Sequence, residues 1–394
     1  MSRYWHIAVW QIDIGGNVVN LIDIVLVKSD PIMASLRDQK IISTLRKKYS
    51  ITALGWNREG SIKSNRAETD YELFNMRAPQ GYEPHGTTRL LPHMLIFWAW
   101  VLIKLCVYRP KAVHACNLDT VLPSYVYKRL FRKKLVFDVF DRYAMAYIPR
   151  NRSLFFKLLY SFVNWIEEEF AKSSDVLINI SDEMLTTYKR RPRNCTTIMN
   201  CSQDHMINRS KVENNEFKLL FTGHLRPGRG LELLPDIVKN LKDTQLIITG
   251  RIEDKKLLNK IDGVSNIIYK GYLNHNEVLD LEVNSDTMIA LYDLNLQIQN
   301  KYVMGNKLFE SMMFGVPVIT NVAQQIVNET DCGVIVKYDN TEQIKRAIIT
   351  LRDNPELRKK LGANGRKAFL EKYNWNLMEQ RLYKVYDSLL NGQT

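Results

Sequence analysis

The stretch FKLLFTGHLRPGRGLELLPDIVKNLKDTQLIITG, Phe217–Gly250, decides the fold. An apolar run of strand length ends in Gly223. A turn containing Gly228 and Gly230 follows, then the helix-like run LELLPDIVKNL, then a second apolar run ending in Gly250. Strand, helix and strand in so few residues form the unit of a parallel sheet covered by helices.

The same alternation continues on both sides. Downstream, NIIYKG, TMIALY and VPVIT read as strands with helical segments between them, and TEQIKRAIITLRDN and NLMEQRLYKVYDSLL as the final helices. Upstream, LIDIVLVK, ITALGW, YELFNM, KAVHAC, KKLVFDVF and DVLINIS read as strands. DPIMASLRDQKIISTLRKKY reads as a helix with Asp30 at its cap and Pro31 in its first turn. LDTVLPSYVYKRLF and the amphipathic run LFFKLLYSFVNWIEEEFAK are helices as well. Between the halves, KRRPRNCTTIMNCSQDHMINRSKVENNE has no clear period and one short strand at 196–199, as a linker would. The first 20 residues read either as an extra strand or as an extension.

With 394 residues, two cores are expected. We place the first domain at 1–200 and the second at 201–374, with a helical run at 375–392 after it. Two doubly wound β/α/β halves leave a cleft lined by the carboxyl ends of strands. The net charge of +13 favours anionic partners. The basic residues are scattered and no base-stacking module is present, so nucleic acid is not expected among them. The five cysteines form no Cys-x-x-Cys pair, which argues against a disulfide framework or a structural zinc site. The run 94–108 is short for a bilayer span. It is either a buried helix or an interfacial one, with Trp98 and Trp100 at headgroup level beside Arg89, Lys104 and Arg109.

Glycines at strand ends let a backbone approach a ligand, and a helix N-terminus attracts anions. Arg226 and Arg229 in the Gly223–Gly230 turn add phosphate donors, although a plain turn with solvated arginines has the same pattern. In GNKLFESMMFGVPVIT, Gly305–Thr320, Asn306 and Lys307 open a helix. Glu310 one turn in suits a ribose diol, or simply complements the helix dipole. His114 and Asp119 lie beyond one strand end, and Asp138 and Asp141 beyond the next. The bland alternatives are a structural histidine and turn-forming aspartates. There is no Asp-x-Asp metal clamp and no P-loop, and no Gly-x-Gly-x-x-Gly follows the first strand. Leaving-group charge would therefore fall on Arg229 and Lys307.

Taken in order, these segments resemble the retaining glycosyltransferases of family 4, the group 1 class with the GT-B fold, over roughly residues 20–390. FTGHLRPGRGLELL resembles the family's phosphate turn and GNKLFESMMFGVPVIT its most diagnostic motif. KGYLNHNEVLDL, SDTMIALYD, VHACNLDT, KLVFDVFDRY, DVLINISDEM and IMNCSQD resemble further markers. The resemblance implies an N-terminal acceptor domain, a C-terminal nucleotide-sugar domain and a terminal helix crossing back. It implies metal-independent transfer, without a cofactor, from a UDP- or GDP-sugar to a glycan acceptor that is lipid-linked or at the cell surface. Gly223, Arg226, Arg229, Asn306, Lys307 and Leu308 would hold the diphosphate, Glu310 the ribose, and Gly271 and Tyr272 the base. His114 and Asp141 would be catalytic, with Asp119, Asp138 and Tyr302 near the donor sugar or the acceptor.

The pattern departs from the family at three positions. Tyr302 stands where many members carry a second glutamate, His224 where an arginine is frequent, and Phe140 where a histidine is frequent. Two alternatives follow: a GT-B UDP-sugar epimerase, or a degenerate nucleotide-sugar-binding protein. The expected location is the cytoplasm, peripheral on the membrane through 94–108, with the oligomeric state open.

Overall fold

The computed structural model describes residues 11–14, 17–20, 22–32, 35–58, 71–78, 90–148, 153–206, 216–252, 254–295 and 306–392. The chain divides into two units, Met1–Ile198 with Glu379–Thr394, and Met199–Met378. These boundaries fall within a few residues of those read from the pattern.

In the first unit β1 (Gln11–Ile14) and β2 (Asn17–Asn20) form an antiparallel pair. Then come β3 (Ile24–Val27), α1 (Leu36–Arg46), β4 (Ile51–Trp56), β5 (Tyr71–Phe74), α2 (Leu91–Tyr108), β6 (Ala112–Cys116) and α3 (Leu118–Phe131). β7 (Lys134–Val139), α4 (Tyr143–Tyr147), α5 (Leu154–Ser173), β8 (Val176–Asn179), α6 (Asp182–Thr186) and β9 (Cys195–Thr197) follow. The sheet order is β5-β4-β3-β6-β7-β8-β9, all parallel. β3, β4, β6 and β8 are buried along their whole length, as strands covered on both faces must be.

The second unit contains β10 (Phe217–Thr222), α7 (Leu234–Val238), β11 (Thr244–Thr249), α8 (Lys255–Ile261), β12 (Ile267–Tyr269), α9 (His275–Val283) and β13 (Thr287–Ala290). It continues with α10 (Asn306–Phe314), β14 (Val318–Thr320), α11 (Gln324–Thr330), β15 (Gly333–Ile335), α12 (Thr341–Asp353) and α13 (Pro355–Glu371). Its parallel order is β12-β11-β10-β13-β14-β15. α14 (Trp375–Asn391) starts here and belongs to the first unit from Glu379 onward. There Arg381 donates to the Thr197 carbonyl at 3.1 Å and Tyr386 is wholly buried. In both sheets the chain starts in the middle, winds to one edge, then returns and winds to the other. The reversal falls at β3/β6 and at β10/β13, where such sheets open a crevice at their carboxyl ends.

Several expectations need correction. α1 starts at Leu36, capped by the Ser35 hydroxyl that accepts from the Asp38 amide at 3.3 Å, so Asp30 is not its cap. α7 is only five residues long: Leu231–Leu233 are turn and Pro235 sits in its first turn. The Gly-rich turn therefore does not run directly into a helix N-terminus. β15 and α13 had no signal strong enough to assign. α13 contains Gly362, where a Cβ would come within 1.9 Å of the Gly315 carbonyl, so the glycine that weakens the helical pattern also lets α13 pack against the end of α10.

α2 is a core helix on one face, with Met94, Phe97, Val101 and Leu105 buried. Trp98 and Trp100 are not surface anchors. The Trp98 indole donates to the Asp119 carbonyl at 2.6 Å, and Trp100 packs 5.4 Å from Phe74. α5 inverts the usual polarity. It buries Glu167, Glu168 and Ala171 and exposes Leu154, Phe155, Leu158, Phe162 and Trp165, with Phe155 at 68%. Arg142 explains the buried acids, lying 3.4 Å from Glu167 and 3.6 Å from Glu168.

Candidate nucleotide site and the polar cluster of the first unit

In the second unit the β10/β13 crevice gathers residues from two strand ends, the turn after β10 and one helix. Phe221 ends β10, Tyr292 follows β13, and Lys307 lies in the first turn of α10. Lys307 Nζ sits 4.5 Å from the Phe221 ring centre and 6.0 Å from that of Tyr292. The Arg229 guanidinium lies 4.4 Å from the Tyr292 ring centre. Two cations thus rest on aromatic faces, an arrangement that attracts them without neutralising them. Burial and then the neighbouring Arg229 lower the Lys307 pKa to about 8, against the pull of Glu310 and Glu282. Burial also lowers that of Arg229. A dianion arriving here would relieve both.

The turn before Arg229 is rigid rather than receptive. The Gly228 amide donates to Glu232 at 2.6 Å, and the Gly230 amide to the Tyr338 hydroxyl at 3.3 Å. The Tyr338 hydroxyl in turn donates to Glu232. Gly230, at φ +89°, cannot take a Cβ, which would fall 2.8 Å from Leu291. These two amides are therefore engaged within the turn, which holds the backbone that carries Arg229. Gly223, at φ +110°, is exposed, and its Cα faces the end of the Lys307 side chain.

At α10, Asn306 is exposed and accepts from the Asn200 amide at 2.8 Å. The Leu308 side chain is buried, so its backbone amide alone is available for the expected diphosphate contact. The first amides of a helix lack intrahelical acceptors. Glu310 is half-buried one turn in and acts electrostatically on Lys307, Tyr292 and Glu282. Gly271 and Tyr272 lie past β12 at the sheet edge, with Gly271 at φ +71° and Tyr272 80% exposed. The Gly271 carbonyl accepts from the Gly250 amide and the Thr249 hydroxyl. Tyr302 lies outside the described residues. Tyr292 and Glu282 were missed in the sequence. The available signals were an aromatic at a strand end and an acid on the apolar face of a helix.

In the first unit the structure separates the expected residues into two groups. His114 is wholly buried with both ring nitrogens engaged, Nδ1 at 2.7 Å from the Tyr386 hydroxyl and Nε2 at 3.1 Å from Asp138. Asp138 is also wholly buried and accepts two bonds from Arg37, at 2.9 and 3.1 Å. Arg37 holds its carboxyl below the usual range despite burial, with help from His114. His114 and Asp138 therefore form an internal strut rather than a surface that meets substrate, which corrects their expected roles. Phe140 is an aromatic platform between Lys28 at 4.9 Å and Arg37 at 4.8 Å. His224 is exposed.

Asp119 and Asp141 keep partial exposure and come together at the β3/β6 reversal. Asp119 accepts from the Ser29 hydroxyl and lies 3.7 Å from Arg58. Asp141 accepts from Tyr147 at 3.3 Å. Burial raises both carboxyl pKa values, and Asp30 adds repulsion at Asp119. Tyr143 and Tyr147 feel Asp119 and Asp30 as well. Asp30, Asp119 and Asp141 with two tyrosines, Lys28 and Arg58 make a polar cluster suited to hydroxyl groups. Arg58, Tyr143 and Tyr147 carried no sequence signal and Asp30 was read as a helix cap, because the cluster is assembled from segments far apart in sequence.

Residues 202–368 match the family described as glycosyl transferases group 1. Among curated proteins, the chain is 29% identical over 189 residues to an uncharacterised glycosyltransferase of Methanocaldococcus jannaschii, covering 45% of this chain and 46% of that protein. It is 24% identical over 180 residues to the phosphatidyl-myo-inositol mannosyltransferase of Mycobacterium leprae, covering 43% and 46%. The chain spans about half the length of the curated relatives it matches. Among solved structures, sucrose-phosphate synthase of Thermosynechococcus elongatus superposes with a TM-score of 0.74 at 14% identity, over 94% of this chain and all of the other. Anabaena HepE in complex with UDP gives 0.68 at 13% identity, over 93% and 100%. The fold is GT-B, with two Rossmann-like units.

Proposed function

With a second unit related to the group 1 glycosyltransferases as the premise, we propose that the protein moves a sugar from a UDP- or GDP-sugar to a glycan acceptor. The acceptor is lipid-linked or at the cell surface, and the reaction retains anomeric configuration without a metal. The observation that carries this reading is the grouping of Arg229, Lys307 and Glu310 at one sheet reversal. Two cations and the α10 amides suit a diphosphate, and a carboxylate one turn away suits a ribose diol. As the sugar departs, negative charge grows on the terminal phosphate. Arg229 and Lys307 stabilise that charge in place, because their ring supports fix them beforehand. Retention rests on the sequence resemblance. The UDP complex of HepE and the inositol-lipid name of the mycobacterial relative are consistent with the donor and acceptor classes.

In the first unit the Asp30, Asp119 and Asp141 cluster would receive acceptor hydroxyls. The exposed apolar face of α5, with Lys157 on it and Arg150 and Arg152 just before it in sequence, supports peripheral membrane contact on the cytoplasmic face. α2 adds Leu95, Ile103 and Val107.

The test is incubation with UDP- and GDP-sugars and membrane lipid extract in EDTA, following free nucleotide. Acceptor-dependent release of UDP or GDP is expected. Epimerised donor without release would replace transfer with epimerisation, and donor binding without turnover would reduce the protein to a binder.

A further inference from the structure

Glu282 lies on the buried face of α9, with Leu279 and Val283, and is wholly inaccessible to solvent. Among the described residues, neither of its carboxyl oxygens accepts a hydrogen bond from an N–H or O–H group. Its side-chain partner is the carboxyl of Glu310 on α10, the helix packed against α9. A carboxylate has only acceptors, so two carboxyls in hydrogen-bond contact must share a proton. Glu310 is half-buried and Glu282 fully buried, and desolvation penalises the charged form more at the deeper site. The proton therefore belongs on Glu282.

We propose that Glu282 is a positioning residue for nucleotide recognition: as a neutral acid it donates a hydrogen bond to the Glu310 carboxylate and fixes the oxygens that receive the ribose diol. This rests on Glu310 as the ribose ligand. Burial, and then the Glu310 charge, push the Glu282 carboxyl well above its ordinary range, while Lys307 opposes this. The titratable groups that act on it are Glu310 and Lys307, both on α10. β10, also packed on α9, contributes the Phe221 ring under Lys307. Beyond Lys307 stand Arg229 and Tyr292. With Glu282 neutral, the two acids Glu282 and Glu310 and the two bases Lys307 and Arg229 together carry two cations and one anion, leaving positive charge for a diphosphate. With Glu282 ionised the four would be neutral together.

The experiment compares UDP and GDP with their 2′-deoxy counterparts, and with inorganic pyrophosphate, by titration calorimetry. The wild-type protein should prefer the ribonucleotide about tenfold, the scale of one hydrogen bond to a charged group. Glu282→Met, similar in length and apolar, should fold and lose that preference while keeping its pyrophosphate affinity. Glu282→Gln, whose amide can still donate, should retain the preference. The ratio of ribo to deoxy affinity cancels the effect of Lys307 on the phosphates. That ratio should fall in the wild type toward alkaline pH and stay level in Glu282→Gln. A full preference in Glu282→Met, or coincident pH profiles of wild type and Glu282→Gln, would overturn the inference. An unchanged preference in Glu310→Ala would overturn the ribose reading beneath it as well, so the two failures are distinguishable.

Discussion

His114 and Tyr386, 272 positions apart in sequence, meet at 2.7 Å inside the first unit. The bond ties the final helix to the strand at the sheet reversal, and Asp138 and Arg37 complete the chain of contacts. All four side chains are almost wholly buried. Removing one charge leaves its partner unpaired in a medium that cannot solvate it. Asp138→Ala is expected to cost about 3–5 kcal/mol, read as a lower urea midpoint for the first unit. A midpoint within error of wild type would contradict the strut.

Lys307 behaves differently, because its pKa is lowered to about 8. Folding then costs most where the lysine is charged in both states, below pH 8, and the cost is relieved as pH rises toward the ordinary lysine range. Lys307→Met should therefore be more stable than wild type at pH 7, with the gap closing above pH 8. Binding of UDP or GDP should restore the charge, so proton uptake is expected between pH 8 and 9. Calorimetry in two buffers of different ionisation enthalpy measures it, and heats independent of the buffer would contradict it.

Gly250 sits at φ +140° with the Gly223 carbonyl where a side chain would begin, 1.8 Å from an ideal Cβ. The two glycines let the ends of β10 and β11 touch. Gly250→Ala should therefore displace the Gly223 loop and weaken nucleotide binding, with a lower melting temperature. A variant with wild-type affinity and melting would show that the contact is dispensable.

The exposed face of α5 should mediate lipid binding. Phe155→Ser with Phe162→Ser and Trp165→Ser should abolish co-sedimentation with anionic vesicles. Melting should be unchanged, because these side chains are 57–68% exposed for the two phenylalanines and 51% for the tryptophan. Equal sedimentation of wild type and variant would assign that face to something other than a membrane.

Most of the fold was legible because buried parallel strands are continuous apolar runs and the covering helices are periodic. The α3 bounds, Leu118–Phe131, match the reading residue for residue. α13 was not legible, since Gly362 and Gly365 serve a helix–helix contact that sequence does not display. The apolar run 94–108 showed which helix was greasy but not which side faced inward, so a buried and an interfacial reading both stood until Phe97, Val101 and Leu105 were seen to face the core. Lys307, Arg229 and Glu310 were singled out because each lies at a strand or helix end. His114 was misassigned because two residues 24 and 272 positions away occupy its nitrogens.

The most direct test is the affinity of the folded protein for UDP and GDP before and after Glu310→Ala. Glu310 is half-buried, so the substitution should leave the melting temperature close to wild type. Loss of a charged acceptor for two hydroxyls should weaken binding of the preferred nucleotide by about ten- to a hundredfold. A folded Glu310→Ala protein with unchanged nucleotide affinity would contradict the assignment of the β10/β13 crevice as the donor site.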